Sequence, residues 1–158
     1  MKFFVSDFLL DTIPLVEWKS DIVYLKPRGL CYSFSKPKNG KFIYTVRTSN
    51  SHNILQIRDE NEMIQFIKEY NVCVDTDYGM EGRVRWEDLR KCYDGIEFRW
   101  WKPMWDCSSA MQELLLQKAA WEWYSSFEKP CGFIWKLDNV KLIIKFKITK
   151  SNRRRIEE

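Results

Sequence analysis

Val140-Lys-Leu-Ile-Ile-Lys-Phe-Lys-Ile148 is the stretch that decides the fold class, because its side chains alternate with a period of two. One face is apolar and consists of Leu142, Ile144, Phe146 and Ile148. The opposite face is cationic and consists of Lys141, Lys145 and Lys147. A strand with one buried and one wet face is typical of an antiparallel sheet. We therefore predict a strand at or near the centre of such a sheet.

Further strands and a few helices follow from the rest of the chain. Strand-like segments are Lys2–Val5, Leu30–Phe34, Lys41–Arg47, Ile54–Ile57, Gly95–Trp100 and Cys131–Lys136. Asp59, followed three residues later by Glu62, predicts a capped helix start. A second helix is predicted over Ala110–Phe127 and a short one over Trp86–Cys92, and a mobile loop excursion is predicted over Asn71–Arg85.

This pattern predicts an α+β domain with a mainly antiparallel, split sheet over residues 1–148. Residues 149–158 follow as a basic tail that we expect to be flexible. The length of 158 residues fits one domain. The net charge of +4 is mild, and much of it lies in the last eighteen residues. These cations indicate either a solvated strand face with a frayed tail or a contact with nucleic acid or another acidic partner.

Five separated cysteines without a CxxC pair are typical of reduced thiols, so we expect a cytoplasmic protein. The N-terminal apolar run is broken by Asp7 and Asp11, and no signal peptide is predicted. No run of eighteen apolar residues is present, so we expect no membrane span.

The usual catalytic patterns do not occur in the sequence. His52 is the single histidine, lies in a loop-like segment, and is expected to be a surface residue rather than a base or ligand. The sequence has no cluster of metal-ligand residues that would predict a metal site. The sequence has no Gly-rich phosphate loop, which excludes kinase, P-loop and Rossmann-type readings.

Two acids lie in unusually aromatic surroundings. Glu97 lies within Cys92-Tyr-Asp-Gly-Ile-Glu-Phe98, and Glu128 within Trp123-Tyr-Ser-Ser-Phe-Glu-Lys-Pro-Cys-Gly-Phe-Ile-Trp135. Either these are strand and helix-end acids that point to solvent, or they line a pocket for a flat, positively charged molecule. Both readings stay open at this point.

Three motifs carry a resemblance that covers most of residues 22–143. Lys26-Pro-Arg-Gly-Leu-Cys-Tyr-Ser33, the "VRWEDLRKCYDGIEF" segment of residues 84–98 and "WYSSFEKPCGFIWKLDNVKLI" of residues 123–143 resemble, in the same order, motifs of small phage and bacterial proteins. Those proteins carry "KPKGLWYS", "YDGIEI" and "SGCIWN" motifs. The layout in turn resembles the ADP-ribosyltransferase fold.

The resemblance implies that NAD is the substrate and that no metal is needed. Gly29, Tyr32 and Ser33 would line the nicotinamide pocket. Where the transferases usually carry Glu on the closing strand, this chain has Cys131-Gly132, which leaves Glu97 and Glu128 as candidate catalytic acids. We favour Glu97 because a strand holds its side chain more rigidly. The opening "KFFVSDF" of residues 2–8 has no Arg or His, the residues that often grip NAD in the family.

The implied activity fits a toxin or phage-defence effector that modifies RNA, DNA or protein, with an antitoxin or another protein as partner. One alternative is a non-enzymatic module that binds a protein or nucleic acid through a Trp-rich surface. Another is a nucleic-acid binder in which Trp100, Trp101 and Trp105 stack on bases beside Arg99 and Lys102. The same "RWWKPMW" residues would also suit a core edge or a dimer contact.

Overall fold

The computed structural model describes residues 1–6, 27, 29–35 and 42–147, leaving out the side chains of 144–147. Within this part of the chain the strands are β1 (Phe3–Ser6), β2 (Leu30–Ser33), β3 (Phe42–Arg47), β4 (Ile54–Ile57), β5 (Asn71–Thr76), β6 (Gly79–Val84), β7 (Gly95–Phe98), β8 (Cys131–Ile134) and β9 (Lys141–Lys147). The helices are α1 (Glu60–Tyr70), α2 (Trp86–Cys92), α3 (Ser109–Gln117) and α4 (Trp121–Ser126). The α+β class predicted from the sequence is confirmed, and so is each of its predicted strands.

The main sheet has the strand order β4-β7-β8-β2-β1-β3-β9, and β5 and β6 form a separate hairpin. Among the strands of the described residues, the β4–β7 pair alone is parallel, so the sheet is mainly antiparallel as expected. β1 and β2 meet through a single register pair, Phe3 with Ser33. This narrow junction divides the sheet into a half with β4, β7, β8 and β2 and a half with β1, β3 and β9.

The prediction that the C-terminal strand lies near the centre of the sheet is wrong. Among the described residues, β9 is the last strand of the order and pairs with β3 alone. Alternation of apolar and polar residues indicates which face of a strand is buried, but it gives no information on how many strands pair with it. A row of lysines is in fact one way in which natural sheets protect an edge. Leu142 is half-buried, and the side chains of Ile144, Phe146 and Ile148 lie outside the described residues.

An aromatic core fills the space between the helices and one face of β7 and β8. Its largest members are fully or almost fully buried and comprise Phe66, Phe98, Trp123, Tyr124, Phe127 and Phe133. The Phe98 and Phe127 ring centroids are 4.6 Å apart, and the Phe66 ring meets those of Phe98 and Trp123 edge-on. Such ring pairs add roughly 0.5–1.5 kcal/mol each beyond their buried area.

The segment predicted as one helix over Ala110–Phe127 forms two helices, α3 and α4. The break falls at Ala119, whose backbone is left-handed with a φ of 49°. There the Ala119 carbonyl accepts a hydrogen bond from Gly82 N at 2.9 Å, and the Lys118 carbonyl accepts one from Asn71 Nδ2 at 3.0 Å. These bonds to the β5–β6 hairpin replace the helical bonds that the sequence pattern alone would favour.

The expected excursion over Asn71–Arg85 is also corrected, because it is an ordered hairpin of β5 and β6. Its position is fixed by the bonds to the α3–α4 junction and by Trp123 Nε1, which donates to Asn71 Oδ1 at 2.9 Å. None of these partners is local in sequence, so the segment gave no strong strand signal. The short helix at Trp86–Cys92 is confirmed.

The start of α1 is formed as predicted. Asp59 is its N-cap and accepts a hydrogen bond from Glu62 N at 2.8 Å. In the described ranges, none of the helices has the length and apolar character required to cross a bilayer. The predicted tail of residues 149–158 lies outside the described residues.

Candidate functional site

One row of residues crosses four strands of the sheet on the face opposite the helices. Gln56 on β4 is in register with Glu97 on β7, Glu97 with Gly132 on β8, and Gly132 with Tyr32 on β2. Because register partners share a face, all of these residues point to the same side. The row brings two of the predicted site residues, Glu97 and Tyr32, together.

Gly132 makes this contact geometrically feasible. A Cβ at residue 132 would lie 2.5 Å from Cζ of Tyr32 and 2.8 Å from its hydroxyl oxygen. The Tyr32 ring therefore lies over the bare backbone of β8 and reaches the next strand. Its hydroxyl donates to Glu97 Oε2 at 2.7 Å. Gly132, one of the two residues that depart from the transferase pattern, thus has a structural reason.

The carboxylate of Glu97 receives donors on both oxygens although its side chain is only 1% exposed. Oε2 accepts from Tyr32 and pairs with Lys2 Nζ at 2.9 Å. Oε1 accepts from Gln56 Nε2 at 2.7 Å and pairs with Arg99 Nη2 at 3.0 Å. We call these residues, Glu97 with Lys2, Tyr32, Gln56 and Arg99, the Glu97 cluster.

The cluster holds Glu97 in its ionised form. Burial opposes ionisation, but the hydrogen bonds from Tyr32 and Gln56 and the charge of Lys2 outweigh it and lower the pKa of Glu97 below its ordinary value. Burial, together with the neighbouring carboxylate, raises the pKa of the Tyr32 phenol. At neutral pH the site therefore contains a buried carboxylate and a neutral tyrosine.

A cavity of about 370 Å³ adjoins the cluster on its cationic side. We call it the cationic cavity; its walls are Met1, Lys2, Phe34, Thr45, Val46, Arg47, Thr48 and Arg99. Lys2 and Arg99 belong to both the cavity wall and the Glu97 cluster. The Arg99 guanidinium also lies 4.7 Å from the Phe34 ring centroid, within cation–π distance. Among the described residues, no carboxylate is part of the wall of this cavity.

Sequence reasoning missed Lys2 and Gln56 as site residues and named Arg99 only as a neighbour of the tryptophans. Lys2 is the first residue of a predicted strand, and Gln56 lies within another. The signal that would have found Gln56 is a polar residue inside an otherwise apolar strand, Ile54–Ile57. Lys2 carried no comparable signal because its partner is 95 positions away in sequence.

Glu128, the other candidate acid, lies elsewhere. It is exposed, follows α4 in a left-handed conformation with a φ of 64°, and borders a second cavity of about 240 Å³. Cys31, Tyr32 and Ser33 line that second cavity as well. Ser33 alternates with Tyr32 along β2, and its hydroxyl donates to the Ser35 carbonyl at 2.7 Å. Glu128 therefore shares a cavity with Ser33 and Tyr32, whereas Glu97, which the Tyr32 hydroxyl contacts, does not line that cavity among the described residues.

Gly29 lies just before β2, with a φ of 148° that favours glycine. A Cβ there would lie 2.8 Å from the carbonyl carbon of Ile134. Close packing against the end of β8 is thus a sufficient reason for a glycine at this position. Among the described residues, no hydrogen bond joins Gly29 to the Glu97 carboxylate.

The tryptophans of "RWWKPMW" differ in exposure. Trp101 stacks on Tyr124 with centroids 5.7 Å apart and donates from Nε1 to the Tyr124 carbonyl at 3.0 Å. Trp100 is half-buried against the aromatic core, whereas Trp105 is 79% exposed. Two of the three residues therefore form a core edge, and one is available to a partner.

His52 is a half-buried loop residue whose Nδ1 accepts from Ser49 N at 2.9 Å. All five cysteines lie in the described residues and form no disulfide there. Within the same ranges, no three His, Cys, Asp or Glu side chains gather as metal ligands would.

Comparison with known proteins assigns no family to this chain. No protein-family model matches the chain, and neither a curated protein nor a solved structure is significantly similar to it. The likeness to ADP-ribosyltransferases therefore rests on the motifs of the sequence, and the geometry of the site has to be interpreted on its own chemistry.

Proposed function

We propose that the protein is an NAD-dependent ADP-ribosyltransferase-like enzyme in which Glu97 is the catalytic acid. One observation carries the proposal. The opening strand segment, the "GLCYS" strand and the "YDGIE" strand, which the resemblance assigns to the NAD site, supply Lys2, Tyr32 and Glu97, and these three side chains meet at one carboxylate oxygen. Glu128 is not part of this convergence, so we assign it no catalytic role.

The chemistry requires a fixed anion. In the transfer, the bond between nicotinamide nitrogen and ribose C1′ breaks, and nicotinamide leaves with the bonding electron pair. The ribosyl group then carries positive charge until an acceptor nucleophile forms a bond to C1′ and gives up its proton. A preorganised carboxylate that accepts a ribose hydroxyl hydrogen bond stabilises this charge. The ionised, strand-held Glu97 meets the requirement.

For a ribose hydroxyl to reach Glu97, one present donor has to leave. Lys2 and Arg99 are the candidates, because their side chains are 18% and 48% exposed and both border the cationic cavity. Tyr32 is only 2% exposed and would keep its bond, which orients the carboxylate. The acceptor class stays open between RNA, DNA and protein, as does a role as toxin or phage-defence effector with an antitoxin.

The test is transfer of label from adenine-labelled NAD to RNA, DNA or protein of a cell lysate. Glu97→Gln should reduce the rate on the order of 10²-fold or more, because Gln keeps the shape of Glu but not its charge. Glu128→Gln is the matched control and should label at the parent rate. Equal labelling by the parent and Glu97→Gln, with both folded by circular dichroism, would reject Glu97 as the acid.

A second candidate is the non-enzymatic binding module, and one specific observation favours it. The Glu97 carboxylate is 1% exposed and has a donor on each side, as in a structural ion pair. Trp105 and Trp121, which are 79% and 50% exposed, would then contribute to a binding surface. If the parent neither transfers label nor binds NAD in a calorimetric titration, this candidate replaces the enzyme.

A further inference from the structure

The cationic cavity contains more positively charged side chains than pair with Glu97. Lys2, Arg47 and Arg99 line it, and Glu97, which pairs with two of them, is the single carboxylate in contact with any of the three among the described residues. Arg47 forms no ion pair in that part of the chain. A concave surface lined by several cations concentrates anions.

Strand register places a further cation opposite Arg47. Arg47 on β3 is directly opposite Lys141 on β9, and both side chains are exposed. Like charges in directly opposed positions of a sheet are destabilising. This pair therefore makes the rim of the cavity less stable than a neutral pair would, and an anion bound between the two side chains would relieve the repulsion.

The rest of the wall suits a phosphate ester rather than a bare ion. Thr48 Oγ1 accepts from Lys2 Nζ at 3.1 Å, so its own hydroxyl hydrogen remains to be donated. Phe34 is half-buried and offers a ring face or edge to a flat group. The volume of about 370 Å³ is within the range of small-ligand sites.

We propose that the cationic cavity binds the phosphate of a nucleotide, with Arg47, Lys2 and Arg99 as its charged ligands and Phe34 beside the base or sugar. The same chemistry is offered by a free mononucleotide and by the phosphorylated end of a nucleic-acid strand. Binding requires no turnover, so the site does not depend on the proposed transferase activity.

The site is coupled to Glu97 through shared cations. A phosphate that attracts Lys2 and Arg99 draws them away from the carboxylate, whose oxygens then lose two of their donors. Removing the negative charge of residue 97 should have the reverse effect and leave both cations available to the phosphate. We therefore expect Glu97→Gln to bind a nucleotide more tightly than the parent; a weaker affinity would contradict the coupling.

The decisive experiment is a calorimetric titration with four probes: AMP, adenosine, and a tetranucleotide with and without a 5′ phosphate. The parent should bind each phosphorylated probe about tenfold or more tightly than its unphosphorylated counterpart, because the cations form charge-assisted bonds with the phosphate. Tighter binding of AMP would identify a free nucleotide as the source, and tighter binding of the tetranucleotide a strand end.

Arg47→Ala is the test variant, because Arg47 lines the cavity without touching Glu97. It should weaken the binding of the phosphorylated probes about tenfold. Arg58→Ala is the matched control, since Arg58 is an exposed arginine next to β4, at the other end of the sheet. Absence of a phosphate preference in the parent, or an equal loss in both variants, would overturn the proposal. Label transfer from NAD without Arg47-dependent binding would leave the proposed function standing and remove this site.

Discussion

The two faces of the sheet at β7 differ in what covers them. On the helix side, Ile96 and Phe98 are fully buried against the aromatic core. On the other side, Glu97 lies between them in sequence and is equally buried, but its contacts are hydrogen bonds and ion pairs. One strand therefore carries an apolar core on one face and a charged cluster on the other.

The difference indicates which face is built for stability. Burial of apolar surface stabilises a fold by roughly 25 cal/mol per Å² whatever the detailed arrangement. A buried ion pair must first offset the desolvation of both charges, and apolar residues of similar volume are often as stable or more so. The Glu97 cluster is thus a poor device for stability alone, which is the physical reason to seek function on its side of the sheet.

The largest expected effect is on the apolar face. Trp123→Ala should lower the free energy of unfolding by about 3–5 kcal/mol, because it empties the centre of the aromatic core. Trp123 is 1% exposed and contacts the rings of Phe66 and Phe127. Urea denaturation followed by circular dichroism measures the change.

Trp105→Ala is the control, since this side chain is 79% exposed. Its free energy of unfolding should stay within about 0.5 kcal/mol of the parent value. If the two tryptophan variants lost similar stability, the division between a stabilising helix face and an accessible surface would be wrong.

The apolar face was largely readable from sequence. β4 has the predicted bounds. The observed bounds of β2, β3, β7 and β8 each lie within two residues of the predicted ones, because alternation and aromatic content are local signals. The α3–α4 break at Ala119 was not readable. It depends on carbonyl bonds to Asn71 and Gly82, which approach only after the chain has folded.

The charged face was readable only in part. The motifs singled out Tyr32 and Glu97 without indicating that they touch, because Gly132 makes the contact by leaving space for the ring. Lys2 and Gln56 came to the site through strand order and register. Register across four strands follows from the packing of the whole sheet, so no local pattern contains it.

The next effect tests the space above Gly132. Gly132→Ala should destabilise the fold by about 1–3 kcal/mol, because the added methyl group overlaps the Tyr32 ring. In a Tyr32→Ala background the same substitution should cost much less, since the ring is absent. A double-mutant cycle by urea denaturation gives the coupling; strictly additive effects would show that the ring does not lie over residue 132.

A smaller effect is expected from the Tyr32 hydroxyl. Tyr32→Phe removes one donor from the buried carboxylate but leaves Lys2, Gln56 and Arg99 in place, so the loss should be about 1 kcal/mol. Tyr78→Phe is the control, because Tyr78 is 96% exposed and its variant should unfold like the parent. A loss equal to that of Trp123→Ala would mean that the hydroxyl, and not the core, dominates this side of the fold.

The smallest effect is the pH dependence that Glu97 contributes. Its pKa is lower in the folded protein than in the unfolded chain, where a glutamate titrates at about 4.3. Below that value the unfolded chain takes up the proton more readily than the folded protein. The stability that Glu97 contributes is therefore fully present above about pH 5 and falls as the pH is lowered through the folded pKa. The Glu97→Gln variant lacks this titrating carboxyl group, while all other carboxyl groups are shared with the parent. The difference in unfolding free energy between parent and variant should therefore be largest at neutral pH and shrink as the solution is acidified. Urea denaturation at several pH values between about 3 and 7 measures it. A difference that stays constant over this range would mean that the donors around Glu97 do not favour its ionised form, and the charged face would lose the feature that distinguishes it from the apolar one.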